Sequence, residues 1–389
     1  SGCTSDDGGD VKIDVIDIPT TETIELTPAE KTVNARINDA AFDLLNQMAA
    51  NYDAIKDPAD NSGNITVSPL SVSLALAMRA NSVDGTEQGI CDLYDAADVK
   101  SLNALANKLM RYLSSDHDGT SVKLANSVWY DNGLELSPEY ADLMHKTFYA
   151  ETNQAGLGTP EGVDLINAWV RSKTGNMIDS FLDRPVDLAA VLLNAMYFEG
   201  EWPFEFWCEA GKFHGANSDA DITMISHDIM TVYGANDDYV MARLPYKGDA
   251  TITFVVPRKM TALEAAKTIT RADIDNIDSY INEFMVWLPK FSISQGWTLT
   301  DILSLLGVKT SGSLRKMGIA LDNVRSEIIH KTALEINEKG TRAAAATGDG
   351  MISAGAPVGE PFIVDRPFLF FIENTVTGSM IMCGCINNL

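Results

Sequence analysis

Histidine, serine, cysteine and carboxylate side chains are the groups from which enzymes build nucleophiles, general bases and metal sites. The chain contains no HExxH motif, no Walker P-loop, no GxGxxG after a predicted strand and no GxSxG elbow. The acidic run at residues 6–10 lacks the spacing and the closing glutamate of a calcium loop. The five histidines are scattered, with no pair on one helix face: His117, His145, His214, His227 and His330. We therefore expect no enzyme activity, no metal and no cofactor.

Composition limits the partners. The 389 residues carry a net charge of −25, and 46% of them are hydrophobic. Such a surface repels nucleic acid and anionic membranes, and its simplest role is solubility rather than acidic recognition. No run of 18 apolar residues and no linker-like stretch after the first thirty residues occur. We expect a monomer with one large domain over residues 29–389, preceded by a flexible acidic tether over residues 1–28.

The cysteines fit no zinc or redox motif, and four of them are expected to be ordinary packed residues: Cys91, Cys208, Cys383 and Cys385. Cys3 differs, because Ser1-Gly2-Cys3 followed by an acidic stretch resembles the processed start of bacterial surface lipoproteins. That resemblance implies lipidation at Cys3, an extracellular location at the cell surface or outer membrane or after release into the medium, and membrane contact only through the lipid. The alternative is that Ser-Gly remains from cloning and that Cys3 is a chance residue.

A strand and the loop behind it are the most informative segment. Residues 328–338 alternate, with one predicted buried face and one wet face. Gly340 breaks the pattern, and four alanines with little side-chain bulk follow at 343–346. Apolar sequence resumes only at residue 367, and a long loop of this kind is usually functional. Because its base carries only small side chains, this loop is suited to enter a sheet as a new strand.

The remaining pattern predicts helices in the N-terminal half and strands in the C-terminal half, which favours an α+β fold. Helices are predicted over 28–51, 68–78, 102–113, 138–149 and 163–177. Strands are predicted over 122–130, 189–198, 241–244, 251–256, 284–293, 362–372 and 379–386.

Several motifs resemble the serpin family of serine protease inhibitors, in the family's order from about residue 38 to residue 386. They are Asn64-Ile-Thr-Val-Ser-Pro-Leu-Ser71, Leu193-Asn-Ala-Met-Tyr-Phe-Glu-Gly-Glu-Trp202, Leu244-Pro-Tyr-Lys-Gly248, Leu288-Pro-Lys-Phe291, His330-Lys331, Glu338-Lys-Gly-Thr-Arg-Ala-Ala-Ala-Ala-Thr347 and Asp365-Arg-Pro-Phe-Leu-Phe-Phe-Ile372. The resemblance implies helices on a large mixed or antiparallel sheet, smaller sheets, and an exposed reactive-centre loop at about 339–361. It implies suicide inhibition, in which the cleaved loop inserts into the main sheet and traps the acyl-enzyme of a serine, or a cysteine, protease.

The resemblance also assigns residues. The hinge of the loop is matched by Glu338, Gly340, Thr341, Ala343, Ala344, Ala345, Ala346 and Thr347. The shutter, a hydrogen-bonded cluster beneath the parting strands, is matched by Ser68, Ser71, Asn194 and His330. The breach, where the loop first enters, is matched by Trp202, Lys290 and Glu338, the last two as an ion pair. If Thr341 faces the core on insertion, so do the small residues 343, 345 and 347, and so does Asp349, whose carboxylate needs a partner or a bulge there.

The scissile bond follows by counting from Glu338, as in the family, and falls at Ala354–Gly355. The loop is about two residues longer than in common relatives, so the bond is bracketed by 351–356, with Met351, Ile352 and Ser353 as alternatives. No lysine or arginine occurs between Ala343 and Glu360, which disfavours trypsin-like enzymes. We expect an elastase-like target first, then a subtilisin-like or papain-like one.

Two other classes stay open at this stage. One is a non-inhibitory serpin that acts as a carrier or chaperone, against which the small hinge residues argue. The other is a surface-binding lipoprotein, which only the N-terminal segment favours.

Overall fold

The computed structural model describes residues 17–325, 328–341 and 360–389. Its helices are α1 Pro28–Ala50, α2 Tyr52–Ile55, α3 Pro69–Ser82, α4 Glu87–Leu93, α5 Val99–Leu113, α6 Pro138–Phe148, α7 Pro160–Lys173, α8 Ala262–Ala266, α9 Arg271–Asp275 and α10 Thr300–Leu305. Its strands are β1 Ile65–Val67, β2 Thr120–Asp131, β3 Ala150–Ala155, β4 Ala190–Glu201, β5 Trp207–His214, β6 Asp219–Ala235, β7 Tyr239–Pro245, β8 Ala250–Pro257, β9 Ser279–Pro289, β10 Phe291–Thr298, β11 Ser311–Gly312, β12 Val324–Arg325, β13 Ile329–Asn337, β14 Gly340–Thr341, β15 Phe362–Ile363, β16 Phe368–Asn374 and β17 Met380–Ile386.

The helix starts predicted at residues 28, 68 and 138 are confirmed to within one residue, whereas the helices predicted from 102 and 163 begin three residues earlier, at Val99 and Pro160, and the second of these ends at Lys173. Thr27 caps α1 by accepting a hydrogen bond from the backbone N–H of Glu30, whose carboxylate accepts from the backbone N–H of Thr27. Ser68 caps α3 in front of Pro69. These side chains satisfy backbone donors that have no partner within the helix, and proline is already in a helical conformation at the first position. The Ser68 cap and Pro69 therefore fix the N-terminus of α3, which lies in the functional site.

Six strands form the sheet that holds this site, in the order β10-β13-β14-β4-β2-β3. The main core lies on one face, where α3 contacts β4. A second, smaller apolar cluster joins α7 to the opposite face, with the rings of Trp129 and Trp169 at its centre, 6.5 Å apart. Glu151 of β3 fastens α7 by accepting hydrogen bonds from Trp169 Nε1 at 2.7 Å and Lys173 Nζ at 2.5 Å.

The other large sheet has nine strands, in the order β1-β17-β16-β8-β7-β6-β9-β15, with β5 paired to β6. Its strands β16 and β17 are buried along almost their whole length, so they read as continuous apolar runs rather than alternating ones. The predicted α+β arrangement of helices and a large mixed sheet is confirmed, and there are further, separate sheets.

Two strand predictions need correction, and the strands β1, β3, β5 and β6 were not predicted. The strand predicted over 284–293 is two strands, β9 and β10, which belong to different sheets and are separated at Lys290. The strand predicted over 362–372 is also two strands, β15 and β16, which belong to the same sheet and are separated by a bend before the buried Phe368. The 17-residue β6 was missed, because its polar and apolar residues do not alternate cleanly along its length.

The first part of the described chain differs from the predicted flexible tether. Residues 17–27 lie along α5, where the Thr21 amide donates to the Arg111 carbonyl at 3.0 Å and Arg111 Nε donates to the Pro19 carbonyl at 3.0 Å. Apolar side chains of this segment also pack against the core. Residues 17–27 thus belong to the folded body. Among the described helices, none combines the length and the apolar character that crossing a bilayer requires.

Candidate functional site

The hinge begins inside the six-stranded sheet. Gly340 and Thr341 form β14, which pairs antiparallel with the end of β13 on one side and with Glu201 and Gly200 of β4 on the other. Among the described residues, β14 is the only segment through which a ladder links β13 to β4. Two residues of a further central strand are thus already in place at the top of the sheet.

Gly340 is required at its position. Its φ is +153°, and a Cβ atom there would lie 2.1 Å from the carbonyl oxygen of Gly200. No side chain fits so close to a neighbouring backbone, and the backbone cannot retreat without breaking the pairing with β4. The glycine that ends the alternating pattern in the sequence therefore allows the chain to turn into the sheet.

Thr341 faces the core. It is 2% exposed, and its hydroxyl is 2.6 Å from the hydroxyl of Tyr246. The ring of Tyr246 stacks on Trp202 with centroids 4.5 Å apart and an angle of 10° between the planes. Burial raises the pKa of Tyr246, so the phenol stays neutral and available for this bond. The sequence motif that contains Tyr246 was recognised, but its contact with the hinge was not.

The predicted breach residues come together around the same turn. Trp202 Nε1 donates to the carbonyl of Asn337 at 2.9 Å, and its backbone N–H donates to the carbonyl of Lys339 at 2.9 Å. Lys290 Nζ is 2.7 Å from Glu338 Oε2. The hydrogen bond from Lys290 lowers the pKa of Glu338, and the same bond raises the pKa of Lys290. With these side chains 40% and 25% exposed, we assign the pair about 0–1 kcal/mol.

The shutter residues also come together, beneath the strands. His330 of β13 accepts a hydrogen bond at Nε2 from the backbone N–H of Ser68, at 3.0 Å. The Ser68 hydroxyl donates to the carbonyl of Ile381 at 2.7 Å. Burial lowers the pKa of His330 to about 4. The direction of the hydrogen bond and the lowered pKa both correspond to a neutral imidazole, because a protonated Nε2 has no lone pair with which to accept a hydrogen bond.

The other half of the shutter runs to β4 and β2. The Ser71 hydroxyl donates to Asn194 Oδ1. Asn194 Nδ2 donates to Asn126 Oδ1 at 2.5 Å, and Asn126 Nδ2 donates to the carbonyl of Phe148 at 2.7 Å. Asn126 was missed in the sequence. Its signal was an amide in a buried strand, where an apolar residue is the ordinary choice.

Through these hydrogen bonds, the N-terminus of α3 links two strands of the six-stranded sheet. Ser68 holds β13 through His330, and Ser71 holds β4 through Asn194. Widening the space between β13 and β4 must stretch at least one of these buried bonds, each of which leaves an unsatisfied polar group when broken. The shutter therefore opposes separation of the two strands that flank β14.

Other predicted positions lie outside the described residues. They are the hinge residues 343–347, Asp349, the scissile candidates 351–356 and Cys3. Cys208 needs correction, because it is exposed rather than packed, whereas Cys91, Cys383 and Cys385 are buried free thiols. Within the described ranges, no three histidine, cysteine or acidic side chains are grouped so that they could hold a metal ion.

The fold and the site define an α+β protein whose main sheet already holds the first two residues of an additional central strand. A family model described as serpin (serine protease inhibitor) matches residues 35–389. Iripin-3 of Ixodes ricinus is 33% identical over 357 residues, which cover 85% of this chain and 91% of that protein. Human neuroserpin is 28% identical over 353 residues, covering 82% and 85%. The native thermophilic serpin tengpin superimposes with a TM-score of 0.78 at 24% identity, covering 95% of this chain and 97% of tengpin.

This chain belongs to the serpin family. Serpins are protease inhibitors in general rather than enzymes, and serine proteases are their general targets.

Proposed function

We propose that this serpin is a suicide-type inhibitor whose cleaved loop enters the six-stranded sheet between β13 and β4. The observation that carries the proposal is the pairing of Gly340 and Thr341 with both strands. A chain that already runs between them extends that strand without changing direction. The residues on the inward parity after Thr341 are alanine, alanine and threonine at 343, 345 and 347, all small enough to follow it into the core.

The protease supplies the catalytic groups, and the inhibitor supplies the bond that is cleaved. Its serine oxygen attacks the carbonyl carbon of Ala354, the amide bond to Gly355 breaks, and the new amine leaves with the C-terminal fragment 355–389. The acyl-enzyme ester is then carried with the loop as the loop inserts. About a dozen residues, each gaining a net 0.5–1.5 kcal/mol per new hydrogen bond, contribute on the order of 10 kcal/mol. This gain in free energy exceeds the cost of breaking the shutter hydrogen bonds, so insertion is favourable once the loop is cut.

We further propose an elastase-like target, because the bracket 351–356 contains small and apolar residues and no cationic side chain. A trypsin-like pocket, which holds an acidic group for a lysine or arginine, finds no partner there. A shallow apolar pocket accepts Ala354. A deeper one accepts Met351 or Ile352.

The test is a gel. The purified protein is mixed with pancreatic elastase, and the products are denatured in SDS. We expect a band at the summed mass of the protease and residues 1–354 of the inhibitor, and mass spectrometry should identify a released fragment that begins at Gly355. Elastase whose serine has been blocked covalently is the matched control and should give no such band. Complete cleavage of the loop without any covalent complex would contradict inhibition.

For the N-terminus, we propose a lipid anchor at Cys3 and a place at the cell surface or outer membrane. The support is the Ser-Gly-Cys sequence followed by acidic residues. A fatty-acid analogue fed to the producing cells should label the wild-type protein and leave Cys3→Ala unlabelled. Equal labelling of the two proteins would contradict the anchor.

A further inference from the structure

A small cavity lies on the core side of the six-stranded sheet, between β13, β4 and α3. Its volume is about 40 Å³, and its lining includes Leu192 of β4, Ile328 just before β13, and Ala75 and Arg79 of α3. The other side chains that line it are apolar, apart from Ser82. A cavity of this size holds a small polar group, provided that the lining offers that group a hydrogen-bonding partner.

Arg79 is the charged residue in this lining. It is 3% exposed, and its Nη2 donates a hydrogen bond to the carbonyl of Lys309 at 3.0 Å. Burial lowers the pKa of Arg79 to about 10, because the charged form loses hydration, and the guanidinium still carries its charge at neutral pH. A carboxylate is the group that best compensates such a charge, since its two oxygens match the geometry of the guanidinium donors. The cavity is therefore suited to a carboxylate rather than to a neutral or cationic group.

β14 sets the register of any residues that follow it into the sheet. Thr341 lies opposite Ile336 of β13 and Gly200 of β4, and both ladders are antiparallel. Each further residue of an inserted strand therefore moves one position back along both neighbours. The two neighbours run without a register shift, β13 against β10 and β4 against β2. The position of each inserted residue can thus be counted from Thr341.

The count brings the loop first to the shutter. Six residues after Thr341, Thr347 comes opposite His330 on one side and Asn194 on the other. These are the two strand residues that the N-terminus of α3 holds by hydrogen bonds. Each ladder gives its shutter residue independently of the other, so their agreement at one level supports the count.

Two residues further, Asp349 comes opposite Ile328 and Leu192, which both line the cavity. It has the inward parity of the hinge threonine, so an inserted Asp349 points to the core side, toward α3. Arg79 follows Ser71 by eight residues on α3, and long helical side chains lean toward the N-terminus of their helix. The guanidinium therefore reaches back toward the level of the inserted Asp349, and the two groups carry opposite charges.

We propose that Arg79 is the receptor for the Asp349 carboxylate after the cleaved loop has inserted, and that this cavity is the site where they meet. This rests on the proposed inhibitory function. A carboxylate buried without a partner opposes insertion at that depth, whereas a carboxylate beside a guanidinium completes a buried ion pair. Because the pair forms only on insertion, it stabilises the cleaved, inserted state and not the uncut one. The acidic residue on the inward face of the loop is then the residue that this cavity accepts.

The test is a double-mutant cycle, measured once on the uncut protein and once on the protein with a cleaved loop. Asp349→Asn, Arg79→Gln and the double variant are compared with the wild type. Thermolysin cleaves the loop, and mass spectrometry verifies that the cut lies after residue 349. Lys331→Gln with Asp349→Asn is the matched control, because Lys331 follows His330 and so is a cation on the opposite face of β13. The melting temperature and the stoichiometry of elastase inhibition are recorded for each protein.

We expect Asp349→Asn to leave the melting temperature of the uncut protein unchanged and to lower that of the cleaved protein by about 5 °C, because the guanidinium loses its partner. In the Arg79→Gln background the same substitution should raise the melting temperature of the cleaved protein, because it removes an unpaired buried charge. Arg79→Gln should raise the stoichiometry of inhibition, and adding Asp349→Asn should return it toward the wild-type value.

A cleaved Asp349→Asn protein that melts at the wild-type temperature or above it would overturn this proposal, indicate a bulge that keeps the carboxylate out of the cavity, and leave the inhibitory function intact. This comparison does not require Arg79→Gln to fold. Equal coupling of Asp349 to Lys331 would assign the effect to general charge attraction and also overturn the proposal. A wild type that forms no covalent complex with elastase and gains no melting temperature on cleavage would overturn both the proposal and the inhibitory function.

Discussion

Acidification from pH 7.5 to pH 5 should destabilise the shutter through His330. The imidazole is buried, neutral and an acceptor for the Ser68 amide, and its pKa is about 4 instead of the usual 6.5. Between these two values the unfolded chain binds a proton that the folded chain does not. The free energy of unfolding therefore has its full value above pH 6.5 and decreases as the pH falls toward 4.

The size of the effect follows from the same two values. Over the whole window the loss is roughly 3 kcal/mol, and about 2 kcal/mol of it is reached at pH 5. For a domain of this size, about 2 kcal/mol corresponds to a shift of roughly 2–5 °C in the melting temperature. His330→Gln is the appropriate reference, because its side-chain oxygen can accept from the Ser68 amide and does not titrate.

The assay is the melting temperature of both proteins at a fixed scan rate, at pH 7.5 and pH 5, since unfolding of a large chain is often irreversible. Other groups titrate equally in the two proteins, so the difference between them isolates the imidazole. We expect the wild-type melting temperature to drop 2–5 °C further than that of the variant. A difference that does not change with pH would refute the assignment of a buried neutral imidazole to the shutter.

Three further predictions concern the same sheet. Thr341→Arg should convert the inhibitor into a substrate, because a long charged side chain must replace a hydroxyl that is 2% exposed; a stoichiometry of inhibition equal to that of the wild type would argue against insertion. Lys290→Met should lower the free energy of unfolding by less than about 1 kcal/mol, and adding Glu338→Gln should cost nothing more, as measured by a double-mutant cycle; additive losses would show that the two groups do not interact. Asn126→Ala should cost about 2–4 kcal/mol by leaving Asn194 Nδ2 and the Phe148 carbonyl without their partner, and denaturant unfolding with a loss below 1 kcal/mol would contradict that network.

Local chemistry explains what the sequence predicted well. The helix starts at residues 28 and 68 and the alternation of β13 each depend on neighbours within four residues; the two starts are confirmed, and the alternation holds except at Ala333, which the second apolar cluster buries. Lys290 shows the limit, since a continuous strand-like pattern crosses a point where the chain leaves one sheet for the other. A strand pattern records which residues are buried and not which sheet buries them.

Contacts between distant residues account for what was missed at the site. Tyr246 and Thr341 are 95 positions apart, and Asn126 and Asn194 are 68 apart. Nothing in the periodicity of either segment specifies the other. The resemblance to a family supplied His330 and Ser68 as members of one cluster, but the direction of each hydrogen bond, and hence the neutral imidazole, required the structure.

The most direct test of insertion is the melting temperature after the loop is cut. Thermolysin, a metalloprotease that forms no acyl-enzyme, is used to cleave the loop in the wild type and in Thr341→Arg, which provides the matched control. If the freed strand enters between β13 and β4, on the order of 10 kcal/mol of new hydrogen bonds should raise the melting temperature of the cleaved wild type by more than about 10 °C. The cleaved variant should gain little. An unchanged or lower melting temperature for the cleaved wild type would contradict the account.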